Sequence, residues 1–307
     1  MVSDNYDRPA GGERTLVVQT RTGSLSALSD LRQGGPHPVA LIQHGFPDHP
    51  ASFLPLARAL RAAGWSWLAP WLRGVGPSHQ PGRRGARVLD HTVEALGADL
   101  ITWLDHLTTA LPGSPVHLIG HDWGAVLGVD LLTGPHATRL SSATLMSVPH
   151  VRALLANVTP AQLRRSRYMG AFQLPGAARR AAADDFAAID ALWRAWSPGY
   201  QLPAPARAAL HADLAAGWPA PIAPYRALLR PLTAVPARLR RLRTLITTPT
   251  LYLHGADDGC ITPAAARGQD RFFTGPYQAE VLRGVGHFLA CEAPSVLAAR
   301  IDAWGRA

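Results

Sequence analysis

The residues with the clearest chemical meaning lie in the stretch Gly120-His121-Asp122-Trp123-Gly124, between an apolar run and a helix-like run. Its spacing is that of G-x-S-x-G, a sharp strand-to-helix turn that exposes a nucleophilic serine, but an aspartate stands at the position of the serine. A carboxylate is already ionised at neutral pH, so it can attack an alkyl carbon without help from a base. Asp122 is therefore predicted to be a nucleophile that forms an ester of the protein itself.

Three further polar clusters also follow apolar runs that are typical of buried strands. They are His44-Gly45-Phe46-Pro47 after "VALIQ", Asp257-Asp258 after "LYLHGA", and His287 in "LRGVGHF". In open α/β sheets the reactive groups collect beyond the carboxyl ends of the strands, so we expect these clusters to meet. Nucleophile, acid and histidine then follow one another in the chain order of a catalytic triad, with His287 able to take a proton from water.

Strand and helix patterns alternate along most of the chain, which is typical of a doubly wound sheet. A hairpin is predicted over residues 14–31, with its turn at Thr22-Gly23, and the alternation continues to about residue 149. Residues 150–243 break this rhythm with helix-like, Ala- and Arg-rich segments that prolines interrupt. The strand "TPTLYLHG", a helix over "PAAARGQDRFF", the strand "YQAEVLRG" and a last helix then restore it. The sequence predicts a core of residues 1–149 and 244–307 with a helical lid of residues 150–243 after about the sixth strand.

Four motifs, "HGFPD", "GHDWG", "GADD" and "GVGHF", together resemble those of the α/β-hydrolase superfamily. Within it the chain is similar to epoxide hydrolases and haloalkane dehalogenases, which use an aspartate nucleophile, from about Thr15 to the last residues. The resemblance implies the α/β-hydrolase fold, a mostly parallel sheet, and an oxyanion hole formed by the backbone N–H groups of Phe46 and Trp123. The family's G-x-x-D pattern favours Asp258 as the triad acid, and Asp257 remains an alternative.

Two segments of the predicted lid make the chain most similar to the epoxide hydrolases. "RSRYMGAFQLPG" resembles a lid motif with a tyrosine four residues before F-Q-x-P-G, which corresponds to Tyr168. "IAPYRALLR" resembles the segment of the second lid tyrosine, which corresponds to Tyr225. The resemblance implies that both hydroxyls hydrogen-bond the oxygen of a small apolar epoxide, which water then converts into a vicinal diol.

Two other functions stay open at this point. A dehalogenase would form the same ester by displacing a halide, and lid tryptophans are available as halide donors: Trp193, Trp196 and Trp218. Trp123 stands where fluoroacetate dehalogenases have arginine, and Phe46 where many haloalkane dehalogenases have asparagine. Trp71 replaces the family's usual aspartate after the fourth strand. The third possibility is a ligand-binding protein that keeps the fold without turnover.

Composition limits the remaining partners. The 307 residues carry a net charge of +9, with arginine as the only strong base, which we interpret as a solvated basic surface without nucleic-acid or membrane binding. The two cysteines, Cys260 and Cys291, are predicted to be free thiols, and no metal or organic cofactor is expected. The first residues lack the order of a secretory signal, so a cytoplasmic location is expected. The oligomeric state stays open between monomer and homodimer.

Overall fold

A computed structural model describes residues 12–20, 23–78 and 87–307 of the chain. Its strands are β1 (Arg14–Thr20), β2 (Gly23–Asp30), β3 (Val39–Gln43), β4 (Ser66–Pro70), β5 (Val116–His121), β6 (Ser142–Met146), β7 (Thr250–Gly255) and β8 (Tyr277–Leu282). In the described residues they form an eight-stranded sheet in the order β1-β2-β4-β3-β5-β6-β7-β8. The pairs β1–β2 and β2–β4 are antiparallel and the other neighbours are parallel. The mostly parallel doubly wound sheet is thus confirmed, while Thr22 of the predicted hairpin turn lies outside the described residues.

Helices on both sides of this sheet bury its central strands. They are α1 (Leu54–Ala62), α2 (Val93–Ala110), α3 (Trp123–Leu132), and, after β8, α11 (Leu289–Glu292) and α12 (Pro294–Gly305). Every residue of β3, β5, β6 and β7 is buried, as expected for parallel strands that are covered on both faces. This explains why these strands are continuous apolar runs in the sequence rather than alternating ones.

The chain between β6 and β7 is helical. It contains α4 (Val151–Ala156), α5 (Pro160–Arg165), α6 (Arg167–Ala171), α7 (Ala177–Trp196), α8 (Ala204–Gly217), α9 (Ala223–Ala227) and α10 (Val235–Arg241). The long helix α7 leaves helical backbone angles between Ala183 and Phe186. These helices follow the sixth strand, where the sequence predicted an insertion.

Side chains of the helical segment are hydrogen-bonded to loops at the carboxyl edge of the sheet. The indole Nε1–H of Trp193 donates to the carbonyl oxygen of Pro47 at 2.8 Å. Asp213 Oδ2, on α8, lies 2.8 Å from Nδ1 of His49 and accepts a 2.6 Å hydrogen bond from Nε1–H of Trp71. Trp71, which replaces the family's usual aspartate, therefore binds a carboxylate that the helical segment supplies.

One predicted helix is wrong. Residues 263–273 form two short 3₁₀ turns, Pro263–Ala266 and Gln269–Phe272, instead of an α-helix. Gly268 between them has a φ of +68°, a left-handed conformation that interrupts a right-handed helix. The end of this segment instead pairs with the chain before β7, where Ile246 N–H donates to the carbonyl oxygen of Phe272 at 2.9 Å.

In the described parts of the chain, none of the helices has the combination of length and apolar composition that crossing a bilayer requires.

The central strand β5 provides a test of where the stability of the fold lies. Leu118 is completely buried in β5, whereas Leu163 on α5 is 62% exposed. Leu118→Ala should lower the free energy of unfolding by about 3 kcal/mol, because it leaves a cavity in a packed core. Leu163→Ala should change it by less than about 0.5 kcal/mol. Urea unfolding of the two variants measures both values, and equal values would contradict this placement of the core.

Candidate active site

Asp122 is displayed by a strained turn between β5 and α3. Its backbone angles, φ 52° and ψ −115°, lie outside the regions that a residue other than glycine normally adopts. Gly124 allows the turn to close, because a Cβ at this position would overlap the carbonyl oxygen of Gln43. Gly124 thus lets α3 start close to β3, directly after the residue whose side chain the turn displays.

The two carboxylate oxygens of Asp122 have different surroundings. Oδ1 accepts a 2.8 Å hydrogen bond from the backbone N–H of Phe46. Oδ2 lies 3.7 Å from Nε2 of His287, which has no hydrogen-bond partner among the described residues. The N–H of Trp123 belongs to the first turn of α3, where N–H groups have no acceptor within the helix. One oxygen is therefore held by a backbone donor, while the other faces the histidine.

His287 is joined to only one of the two adjacent aspartates. Its Nδ1 lies 2.8 Å from Oδ2 of Asp258, and Oδ1 of Asp258 accepts the N–H groups of Cys260 at 2.7 Å and Ile261 at 2.9 Å. Asp258 is buried, whereas Asp257 is exposed. The geometry thus joins Asp258 to the histidine and leaves Asp257 at the surface.

The charges of these three residues stabilise one another. Burial by itself would lower the pKa of His287, but the carboxylates of Asp258 and Asp122 outweigh burial and raise it to about 10. Burial would likewise raise the pKa of Asp258, but the charge and the hydrogen bond of His287 hold it below its usual range. At neutral pH the site therefore contains an imidazolium between two carboxylates. An ester on Asp122 would remove one of those negative charges and make the neutral imidazole more accessible.

Tyr168 on α6 and Tyr225 on α9 lie side by side, with ring centroids 5.5 Å apart. The ring of Tyr225 packs 5.2 Å from that of Trp123, and its buried hydroxyl has no hydrogen-bond partner among the described residues. The hydroxyl of Tyr168 lies 3.7 Å from Sγ of Cys260. Burial raises the pKa of both tyrosines well above the usual value, and the charge of Asp122 adds to this effect. Both tyrosines are therefore hydroxyl donors at neutral pH.

Two of the three tryptophans named as halide donors have their N–H groups engaged elsewhere. Trp193 donates to Pro47, and the Nε1–H of Trp218 donates to the carbonyl oxygen of Ala178 at 2.9 Å. Only Trp196 lies beside the base, with its ring 5.0 Å from that of His287. The N–H groups of Trp193 and Trp218 are therefore not free to donate to a halide.

Sequence reasoning missed two neighbours of the predicted residues. Asp48 is buried, and burial raises its pKa to about 6. His121 lies between Asp48 and the base, with Nδ1 3.9 Å from Oδ2 of Asp48 and Nε2 2.8 Å from the carbonyl oxygen of His287. Burial and the charge of His287 lower the pKa of His121 to about 4, so it is neutral. The only signal for these two residues in the sequence is their position, since Asp48 follows Pro47 and His121 precedes Asp122.

No group of three or more His, Cys, Asp and Glu side chains within residues 12–20, 23–78 and 87–307 is arranged to hold a metal ion.

The side chain of His44 is hydrogen-bonded within the loop that carries Phe46. Its Nδ1 lies 2.8 Å from the carbonyl oxygen of Gly45, and its Nε2 accepts the N–H of Leu72 at 2.9 Å. Burial lowers its pKa to about 3, so the ring is neutral and supports the turn that carries Phe46.

Comparison with known proteins identifies the fold and its relatives. The family model described as "alpha/beta hydrolase fold" matches residues 38–294. Epoxide hydrolase A of Mycobacterium tuberculosis is 33% identical over 176 residues, which cover 55% of this chain and 50% of that protein. Epoxide hydrolase 4 of Mus musculus is 26% identical over 272 residues, which cover 85% of this chain and 70% of that protein. The matched region thus spans 50% of the length of the Mycobacterium tuberculosis protein and 70% of the length of the Mus musculus protein.

Among solved structures, Epoxide Hydrolase A from Mycobacterium thermoresistibile superposes with a TM-score of 0.75 at 22% identity, covering 96% of this chain and 98% of that one. At this level of identity the likeness shows that the two chains share a fold.

The raised pKa of His287 predicts how stability depends on pH. The folded value of about 10 exceeds the ordinary value of 6.5, so this histidine stabilises the fold fully below pH 6.5. The contribution is lost as the pH rises towards about 10. The difference in free energy of unfolding between the unmodified chain and His287→Gln should therefore shrink from pH 6.5 to pH 10. Urea unfolding at both pH values tests this, and a constant difference would contradict it.

Proposed function

The chain belongs to the α/β-hydrolase fold family, and we propose that it opens epoxides to vicinal diols through a covalent ester on Asp122. The observation that carries this proposal is the pair of protonated tyrosines beside an aspartate nucleophile, the partly buried Tyr168 and the buried Tyr225. An epoxide oxygen that leaves a carbon becomes a strongly basic alkoxide, which needs a hydrogen-bond donor or a proton. The epoxide hydrolases among the chain's relatives support the same activity.

In the first half-reaction Oδ2 of Asp122 attacks one epoxide carbon, and the bond from that carbon to the epoxide oxygen breaks. The electron pair stays on the oxygen, which takes a proton from a tyrosine hydroxyl while the other tyrosine donates a hydrogen bond. After the ester has formed, the tyrosinate recovers a proton and the imidazolium of His287 gives one up, so His287 is neutral before the ester is hydrolysed. The product is a hydroxyalkyl ester of Asp122. Oδ1 becomes the carbonyl oxygen of this ester and keeps the hydrogen bond from the Phe46 N–H.

In the second half-reaction His287 accepts a proton from water, and the hydroxide attacks Cγ of Asp122. The negative charge then collects on Oδ1, where the N–H groups of Phe46 and Trp123 stabilise it. Collapse of this intermediate breaks the ester bond, and the leaving alkoxide takes up the proton of the newly added hydroxyl, which releases the diol and restores the carboxylate of Asp122. Asp258 stabilises the imidazolium that has formed. One oxygen of the regenerated Asp122 comes from water.

The proposal extends to the organisation of the chain. Residues 150–243 form a lid that contributes both tyrosines, and residues 1–149 with 244–307 form the core that contributes the triad. The hydrogen bonds that join Asp213 to His49 and Trp71 support this organisation, because they connect the lid to the core at the edge of the site. The substrate is a small apolar epoxide, and the cytoplasmic location that the sequence predicts remains part of the proposal.

Trapping the ester tests the proposed function directly. His287→Gln leaves Asp122 able to attack but removes the base, so the peptide that contains Asp122 should gain the full mass of one epoxide molecule. Mass spectrometry after a single turnover with a panel of epoxides and haloalkanes measures this gain, with Asp122→Asn/His287→Gln as the control. With the base intact, a single turnover in H₂¹⁸O should place ¹⁸O in Asp122.

The other outcomes of this experiment separate the alternatives. An adduct from haloalkanes alone, with a gain equal to the mass of the haloalkane minus that of the hydrogen halide, would make the protein a dehalogenase. The absence of any adduct in a folded protein would favour a ligand-binding function.

The tyrosines provide a second test of the epoxide assignment. Tyr168→Phe and Tyr225→Phe should each slow ester formation from an epoxide by about two orders of magnitude, because the leaving oxygen loses a donor. Stopped-flow measurement of tryptophan fluorescence follows this step. Tyr277→Phe, at the start of β8, removes another buried hydroxyl without a partner among the described residues and should leave the rate unchanged. Equal effects of all three variants would count against a role for the lid hydroxyls.

A further inference from the structure

Trp196, the last residue of α7, and Ser197, which follows it, hold the backbone that carries His287. The carbonyl oxygen of Trp196 accepts the N–H of His287 at 3.0 Å and also the N–H of Gly259, next to the triad acid, at 2.9 Å. Oγ of Ser197 accepts the N–H of Phe288 at 3.1 Å. A segment far away in the chain therefore supports both loops of the triad.

A carboxylate fixes the direction of the Ser197 hydroxyl. Oγ–H of Ser197 donates to Oε1 of Glu292 at 2.6 Å, and Oε2 of Glu292 accepts the N–H of Gly286 at 2.8 Å. Because an ionised carboxylate only accepts hydrogen bonds, the hydroxyl proton points to Glu292 and a lone pair is left for Phe288. The N–H groups of Gly286, His287 and Phe288 thus all have acceptors.

The packing around this hydroxyl leaves no room for adjustment. Ser197 is completely buried, and a Cβ at Gly286 would overlap its backbone and side chain. The ring of Trp196 lies 5.0 Å from the ring of His287 and 5.0 Å from that of Tyr168. Water has no access to replace a lost hydroxyl at this place, so its loss should change the position of His287.

We propose that Ser197, with Glu292, is a positioning residue that holds His287 between Asp258 and the ester of Asp122. His287 must keep its 2.8 Å contact to Asp258 while Nε2, now 3.7 Å from Oδ2 of Asp122, directs a water to the ester. The assignment rests on the proposed function, because it distinguishes the two half-reactions. His287 acts only in the hydrolysis of the ester, so a displaced His287 should slow that half and spare the attack by Asp122.

The kinetic test compares Ser197→Ala and Glu292→Gln with the unmodified protein on an epoxide that forms the trapped ester. Both variants should lower kcat by about ten-fold, because a small misplacement of a reacting group is costly. KM should fall in parallel, since the ester accumulates, and kcat/KM should change by less than about two-fold. Mass spectrometry should find a larger fraction of Asp122 esterified during turnover.

The matched control is Ser142→Ala, which removes an equally buried serine hydroxyl at the opposite end of the sheet. Ser142 lies at the start of β6, and its Oγ is 2.6 Å from Nδ1 of His117. This variant should lose stability without changing the balance of the half-reactions. If Ser197→Ala turns over like the unmodified protein, or slows both half-reactions equally, Ser197 has no positioning role.

A second measurement needs no substrate and so remains decisive if the proposed function fails. The proton that His287 Nδ1 shares with Asp258 should give a low-field proton NMR signal, identified by its disappearance in His287→Gln. In Ser197→Ala this signal should broaden or shift, because the loop that carries the ring is released, and in Ser142→Ala it should stay the same. An unchanged signal in Ser197→Ala would overturn the proposal, whatever the epoxide experiments show.

Discussion

The structure depends on one electrostatic constraint, which is the burial of His287 between the carboxylates of Asp258 and Asp122. Buried charges are tolerated only when they are paired and their remaining hydrogen-bonding positions are filled. Here the backbone N–H groups of Cys260 and Ile261 fill those of Asp258, and that of Phe46 fills one of Asp122. Each of these donors lies in a loop beyond a strand of the sheet, so the parallel strand order is what brings the charges together.

The same constraint explains why the helical segment is tied to the sheet at several points. A histidine that is held between two anions needs a rigid backbone, and the helical segment contributes to it through Trp196 and Ser197. Asp213, Trp71 and His49 add a second tie on the other side of the site.

The sequence allowed the fold and the two central residues to be predicted because both depend on local patterns. Asp122 lies in a turn with fixed spacing, and His287 follows a strand-like run. Spacing alone could not decide between Asp258 and Asp257, because the choice depends on which carboxylate is buried and which one contacts His287. The helix predicted over residues 263–273 failed because Gly268 adopts a left-handed φ of +68° that the sequence pattern did not reveal. Ser197 could not be found, because its partners are about 90 residues away in the chain.

The two tyrosines also explain why the proposed mechanism suits an oxygen leaving group better than a halide. Burial and the nearby Asp122 raise the pKa of both hydroxyls, so Tyr168 and Tyr225 hold their protons tightly. Such weak acids give little to a halide, which is a very weak base. An alkoxide is a stronger base than a phenolate, so it can take the proton even from a buried tyrosine. The transfer also removes negative charge from the carbon skeleton at the moment when Asp122 loses its own. In the proposed mechanism the ester is neutral, so Asp258 is the carboxylate that balances the proton His287 takes from water.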